Sequence, residues 1–125
     1  MNKEDILNHF VNYNPEDFEE PTDYINCLIL TEDRDKALLM LENLIKPYKY
    51  YHANIDECIM RIELIPEDNI PILTYKWYDL NSEHIKGMKG QRFNHIMVDK
   101  DISKEWLNIA SKWLLHCPQK NVKII

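Results

Sequence analysis

The residues best suited to chemistry lie in one stretch, Ile85 to Asp99, where Lys86, Lys89 and Arg92 surround Gly87 and Gly90 ahead of the apolar run Phe93 to Val98. These are the chain's two glycines. Backbone freedom among cations favours contact with an anion, either a phosphate or an acidic patch on a partner protein. The same spacing also suits a solvated surface turn. Asp99 and Asp101 follow the apolar run and flank Lys100. A carboxylate at the end of a strand stands where α/β folds gather ligands. Two carboxylates separated by a lysine make a poor magnesium site, and Asp101 is equally placed to cap the helix that follows. Asp99 and Asp101 are therefore weak metal candidates.

Other chemistries lack their residues. No Gly-x-x-x-x-Gly-Lys-Ser/Thr occurs, so no phosphate cradle of that kind is encoded. His9, His52, His84, His95 and His116 are scattered without zinc-ligand spacing, and no Gly-x-Ser-x-Gly elbow is present. Cys27, Cys58 and Cys117 are odd in number and widely spaced, as expected of reduced core thiols. No catalytic residue and no cofactor is assigned.

The segment Gly90-Gln91-Arg92-Phe93-Asn94-His95-Ile96-Met97-Val98-Asp99 resembles the Walker B region of phage terminase and helicase-type P-loop ATPases. There a G-x-R-x-x-x-h-h-h-D-E segment brings an acid to the carboxyl end of a central strand. The order of elements from residue 25 to about 115 is similar to the layout of those motors. The resemblance implies a P-loop-like half sandwich and a phage origin, which the small size and a vocabulary rich in Lys, Asn and Ile also suit. Two departures remove the activity it would carry. The nucleotide loop is missing, and Lys100 stands where the motors place the glutamate that positions water.

Pro47-Tyr48-Lys49-Tyr50-Tyr51-His52 offers a second constellation, with tyrosines suited either to stacking on single-stranded nucleic acid or to protein contact. Trp77 and Tyr78 are expected to extend it. The chain holds 21 acidic and 15 basic side chains and a net charge of −6, which repels nucleic acid and anionic membrane at long range and favours the protein contact.

These residues need a scaffold, and the sequence predicts an α/β fold. Its 125 residues suit one unit: a single small domain with a mixed sheet packed by helices over 24–125, preceded by an N-terminal helix and acidic linker over 1–23. Asn2 caps the first helix with Asp5 at the capping-box position, and Ile6, Leu7, Phe10 and Val11 recur at helical spacing up to about Asn12. Residues 14–23 carry two prolines and five carboxylates and read as a linker, so the helix is expected to form an added arm.

Tyr24 to Leu30 suits a strand buried on both faces, followed by Thr31 as N-cap and a helix from Arg34 to Ile45 that stops before Pro47. Cys58 to Ile65 and Ile70 to Tyr75, joined by Pro66-Glu67-Asp68-Asn69, read as a hairpin, and Pro71 points to an edge or a strand end. Phe93 to Val98 is the second core strand. Ser103 caps a closing helix to about residue 115, with Trp106, Ala110, Trp113 and Leu114 on one face, and Val122 to Ile125 is a candidate edge strand. The start of the chain is too acidic for a signal peptide and no apolar run spans a bilayer, so the expected place is the cytoplasm, that of the host cell if phage-encoded.

The expected function is that of a non-catalytic, phage-type accessory protein. It binds a host or phage protein, inhibiting or modulating it, through an aromatic and acidic surface that includes Tyr50, Tyr51 and Trp77. A nucleic-acid-contacting module built on Lys86 to Arg92 and Tyr48 to Tyr51, and a metal-dependent enzyme with a composite site, are the two other readings.

Overall fold

The apolar run Tyr24–Leu30 forms β1, the strand on which the fold is assembled. Its side chains alternate between two buried layers, Cys27 and Ile29 facing one and Leu28 and Leu30 the other, so both sheet faces require cover. The computed structural model describes residues 2–10, 24–64, 72–83, 91, 93–112, 117 and 121–125. Across them run α1 (Lys3–Leu7), β1, α2 (Arg34–Ile45), β2 (Tyr51–Ile55), β3 (Ile59–Leu64), β4 (Ile72–Tyr78), β5 (His95–Val98), α3 (Lys104–Ser111) and β6 (Val122–Ile124). The α/β expectation holds: the described strands form one mixed six-stranded sheet in the order β2-β3-β4-β1-β5-β6.

β1 pairs in parallel with β4, from Tyr24↔Ile72 to Ile29↔Trp77, and with β5, from Cys27↔His95 to Leu30↔Val98. β6 continues the parallel half, while β3 runs antiparallel to β4 and β2 antiparallel to β3. On one face α2 sets Ala37 and Leu41 against Cys27, Ile29, Met60, Ile62, Leu64, Tyr75 and Trp77. On the other, α3 sets Trp106, Leu107 and Ala110 against Leu28, Leu30, Ile96 and Val98.

Several expectations shift. The capping box of α1 is present, the Asp5 amide donating to Asn2 Oδ1 at 2.9 Å, but the helix is short and is no free arm. Ile6 and Phe10 are buried in the α3-side core. The N-cap of α2 is Asp33, whose Oδ1 accepts from the amides of Asp35 and Lys36; Thr31 is engaged elsewhere. β4 runs on to Tyr78 and lies inside the sheet. Pro71 precedes its first residue and, with the hairpin turn, the linker 14–23, Trp113 and Leu114, lies outside the described residues. β2, which the sequence left unread as a strand, forms one edge, and β6 forms the other as expected. Among the described residues no helix is long and apolar enough to cross a membrane.

Candidate functional site

β1 and β5 are parallel neighbours whose following helices leave to opposite faces of the sheet, α2 to one and α3 to the other. A crevice outside the carboxyl ends of such strands is where open α/β sheets place ligands. Thr31 directly follows β1 and Asp99 directly follows β5. Both are buried, at 0% and 4% exposure, and the Thr31 hydroxyl donates to Asp99 Oδ2 at 2.8 Å. The same hydroxyl accepts from the Asp33 amide at 3.2 Å, which explains why Thr31 does not cap α2.

The other Asp99 oxygen is taken as well. Oδ1 accepts the Asp101 amide at 3.0 Å and faces Lys36 Nζ at 2.8 Å. Lys36 also lies 3.4 Å from Asp101 Oδ2. Burial acts to raise the Asp99 pKa, but the hydrogen bonds from Lys36, the Asp101 amide and Thr31 together outweigh it and hold the carboxyl below its ordinary value. Lys36 is shifted upward, chiefly by its hydrogen bond to Asp99. An ammonium therefore occupies the position in which a cation would meet Asp99 and Asp101. Among the described residues no group of three His, Cys, Asp or Glu side chains is arranged to hold a metal ion. Nor does Asp101 cap α3: that role belongs to Ser103, whose Oγ accepts from the Trp106 amide at 3.3 Å.

Beside this network opens a cleft of about 380 Å³ whose lining includes Glu32, Arg34, Glu57, Cys58, Asp79 and Trp106, together with Trp77. Its polar groups are mostly committed to scaffold. Glu32 accepts from the Ser103 amide at 2.7 Å, Asp79 from the Asn81 amide at 3.0 Å, and Arg34 Nη2 donates to the Asp56 carbonyl at 3.2 Å. Arg34 Nε is buried without a hydrogen-bond partner among the described residues.

Of the candidates read from the sequence, Asp99 and Asp101 meet in this network. Lys86, Gly87, Lys89, Gly90 and Arg92 lie outside the described residues. Trp77 is corrected from a surface residue to a core residue: it is 2% exposed, and its indole N–H donates to the Thr31 carbonyl at 2.8 Å. Strand alternation places it with Tyr75 against α2, so it cannot widen an aromatic surface. Tyr50 and Tyr51 are exposed at 59% and 42%, beside exposed Tyr48 and Ile55. Thr31 and Lys36, the residues that satisfy Asp99, were missed, and nothing local in the sequence ties either to a carboxylate more than sixty positions away.

On the opposite face a second polar chain went unread. Lys76 Nζ donates to Gln91 Oε1 and Gln91 Nε2 to the Tyr78 hydroxyl, both at 2.7 Å, while the Lys76 ammonium lies 5.9 Å from the Phe93 ring centroid. Burial is the main cause of a lowered Lys76 pKa.

No family model matches the sequence, and no curated protein matches it. Among solved structures the chain is similar to the large terminase ATPase domain of Thermus phage P74-26, at 12% identity and a TM-score of 0.34. The match covers 83% of this chain and 50% of that one, so the chain spans about half the length of that structure.

Proposed function

We propose that this chain is a non-catalytic, phage-type accessory protein that binds a host or phage protein, and thereby inhibits or modulates it, through an aromatic rim bordered by acidic residues. The observation that carries the reading is the rim around β2: Tyr48, Tyr50, Tyr51 and Ile55 are each more than a third exposed, and Asp56 and Glu57 follow directly, also exposed. Tyrosine offers a large apolar area with a polar tip and loses little freedom on docking, which suits protein contact. The Asp99 network supports the absence of catalysis, because both of its oxygens are already spent on protein donors.

Capture of partners from host extract by the tagged full chain tests the reading. The double variant Tyr50→Ala, Tyr51→Ala is expected to lose the captured protein at unchanged melting temperature. The triple variant Lys86→Ala, Lys89→Ala, Arg92→Ala is expected to keep it, and raising salt is expected to weaken capture only slightly. Loss of capture in the triple variant alone, with a steep salt dependence, would replace protein contact by phosphate contact.

A further inference from the structure

β2 has a built direction to its hydrogen bonding. The Asp56 amide donates to the Ile59 carbonyl at 2.9 Å, one step beyond the pair Ile55↔Met60. In an antiparallel ladder the bonded pairs alternate, so Asn54 and His52 also turn their backbone groups toward β3. The N–H and C=O groups of Tyr51, Ala53 and Ile55 then point outward, where no strand pairs with them among the described residues.

The side chains of the same three residues share one face. Tyr51 lies opposite Leu64, Ala53 opposite Ile62 and Ile55 opposite Met60, all three partners being buried beneath α2. The apolar row therefore continues from the core out onto β2, where every residue is exposed. Edge strands are usually protected by charge or proline, and Tyr-His-Ala-Asn-Ile carries neither.

We infer that the outer edge of β2 pairs with β2 of a second copy of this chain, antiparallel about a two-fold axis at Ala53. In that register Ala53 faces Ala53 of the second copy and Tyr51 faces its Ile55, so every outward N–H and C=O gains a partner. Tyr51, Ala53 and Ile55 of both copies then form one continuous apolar row on the α2 face. Sliding the axis by one residue either way keeps outward groups facing each other but leaves Ile55 or Tyr51 of each copy opposite a residue outside the strand. Hydrogen bonding and apolar matching thus agree on a single register. The inference goes beyond the proposed function: it assigns the outer edge of β2 to a second copy and leaves exposed Tyr48 and Tyr50 beside it to the host or phage protein.

Sedimentation equilibrium of the full chain over a range of concentrations tests it. A monomer–dimer equilibrium is expected for the natural sequence. Ala53→Pro removes an outward N–H without touching a bond to β3, and Ile55→Lys puts a charge in the apolar row; each is expected to leave only monomer, with circular dichroism and melting showing the fold intact. A monomer at every concentration, or a dimer that persists in both Ala53→Pro and Ile55→Lys, would overturn the inference. Partner capture by Tyr50→Ala reads separately on the proposed function, because Tyr50 lies outside the strand's three outward residues.

Discussion

Lys36 in the first turn of α2 and Asp99 at the end of β5 form an ion pair at 2.8 Å whose two halves differ in exposure, the side chain of Lys36 at 40% and that of Asp99 at 5%. The carboxylate is the committed partner, fixed also by Thr31 and the Asp101 amide, while the ammonium can reach water. Such a cation supplies the positive charge that a buried carboxylate requires, without any bound ion.

That substitution is testable by removing it. Lys36→Ala leaves the carboxylates of Asp99 and Asp101 without the cation they share. The variant is expected to melt below the natural protein and to regain stability when magnesium is added, by about 5 °C at ten times its Kd. The natural protein is expected to show no magnesium response, measured by thermal melting. A response equal in both proteins would show that Lys36 does not occupy the cation position.

Asp99→Asn keeps the shape and removes the charge. Its expected cost at neutral pH is about 2 kcal/mol, from weakened hydrogen bonds to a charged group. The folded pKa of Asp99 lies below its ordinary 3.8, burial opposing the shift and the hydrogen bonds from Lys36, Asp101 and Thr31 prevailing. The charged form therefore adds stability above pH 3.8, and that contribution fades as pH falls through the lower folded value. Lys36, raised from 10.5 mainly by its bond to Asp99, contributes below 10.5 and ceases to do so as pH climbs through its higher folded value. Urea titrations are expected to show a gap between natural protein and variant that is full at neutral pH and closes at both extremes.

Trp77→Phe separates core from surface at the residue whose role the structure corrects. The change removes the indole N–H that serves the Thr31 carbonyl and leaves unfilled space against α2. A loss of about 2 kcal/mol is expected in urea unfolding, with partner capture unaltered. Loss of capture at unchanged stability would return Trp77 to the surface.

What the sequence revealed follows from how local each determinant is. β1 and β5 are short apolar runs bounded by polar residues, and Asn2 with Asp5, or Ser103 ahead of Trp106, are contacts across three positions, so these elements could be read directly. β2 lacks such a signal because all five of its residues are exposed, and it is a strand only by virtue of pairing with β3. Trp77 sits among Lys76, Tyr78 and Asp79, a polar setting that suggests surface until β4 is extended far enough for alternation to turn it inward. Thr31 and Asp33 are both N-cap residues by type, and Thr31 is held instead by Asp99, brought close by the parallel pairing of β1 with β5. The same pairing joins Lys36 to Asp99.

The three thiols offer a probe of the packed core that requires no substitution. Cys27 is buried in the α2-side layer, and burial pushes its pKa up to about 12 against a smaller opposing influence from Lys123. At pH 8 only about one such thiol in 10⁴ is ionised, and the thiolate is the reactive form. Cys117 is buried against α3, whereas Cys58 is partly exposed on the wall of the cleft. Alkylation of the folded chain at pH 8, followed by peptide mass spectrometry, is therefore expected to mark Cys58 first, with Cys27 and Cys117 labelled at the rate of unfolding. Rapid labelling of Cys27 would mean that α2 does not seal its face of the sheet. The apolar row that leads from that core out to β2 would then lose its anchor.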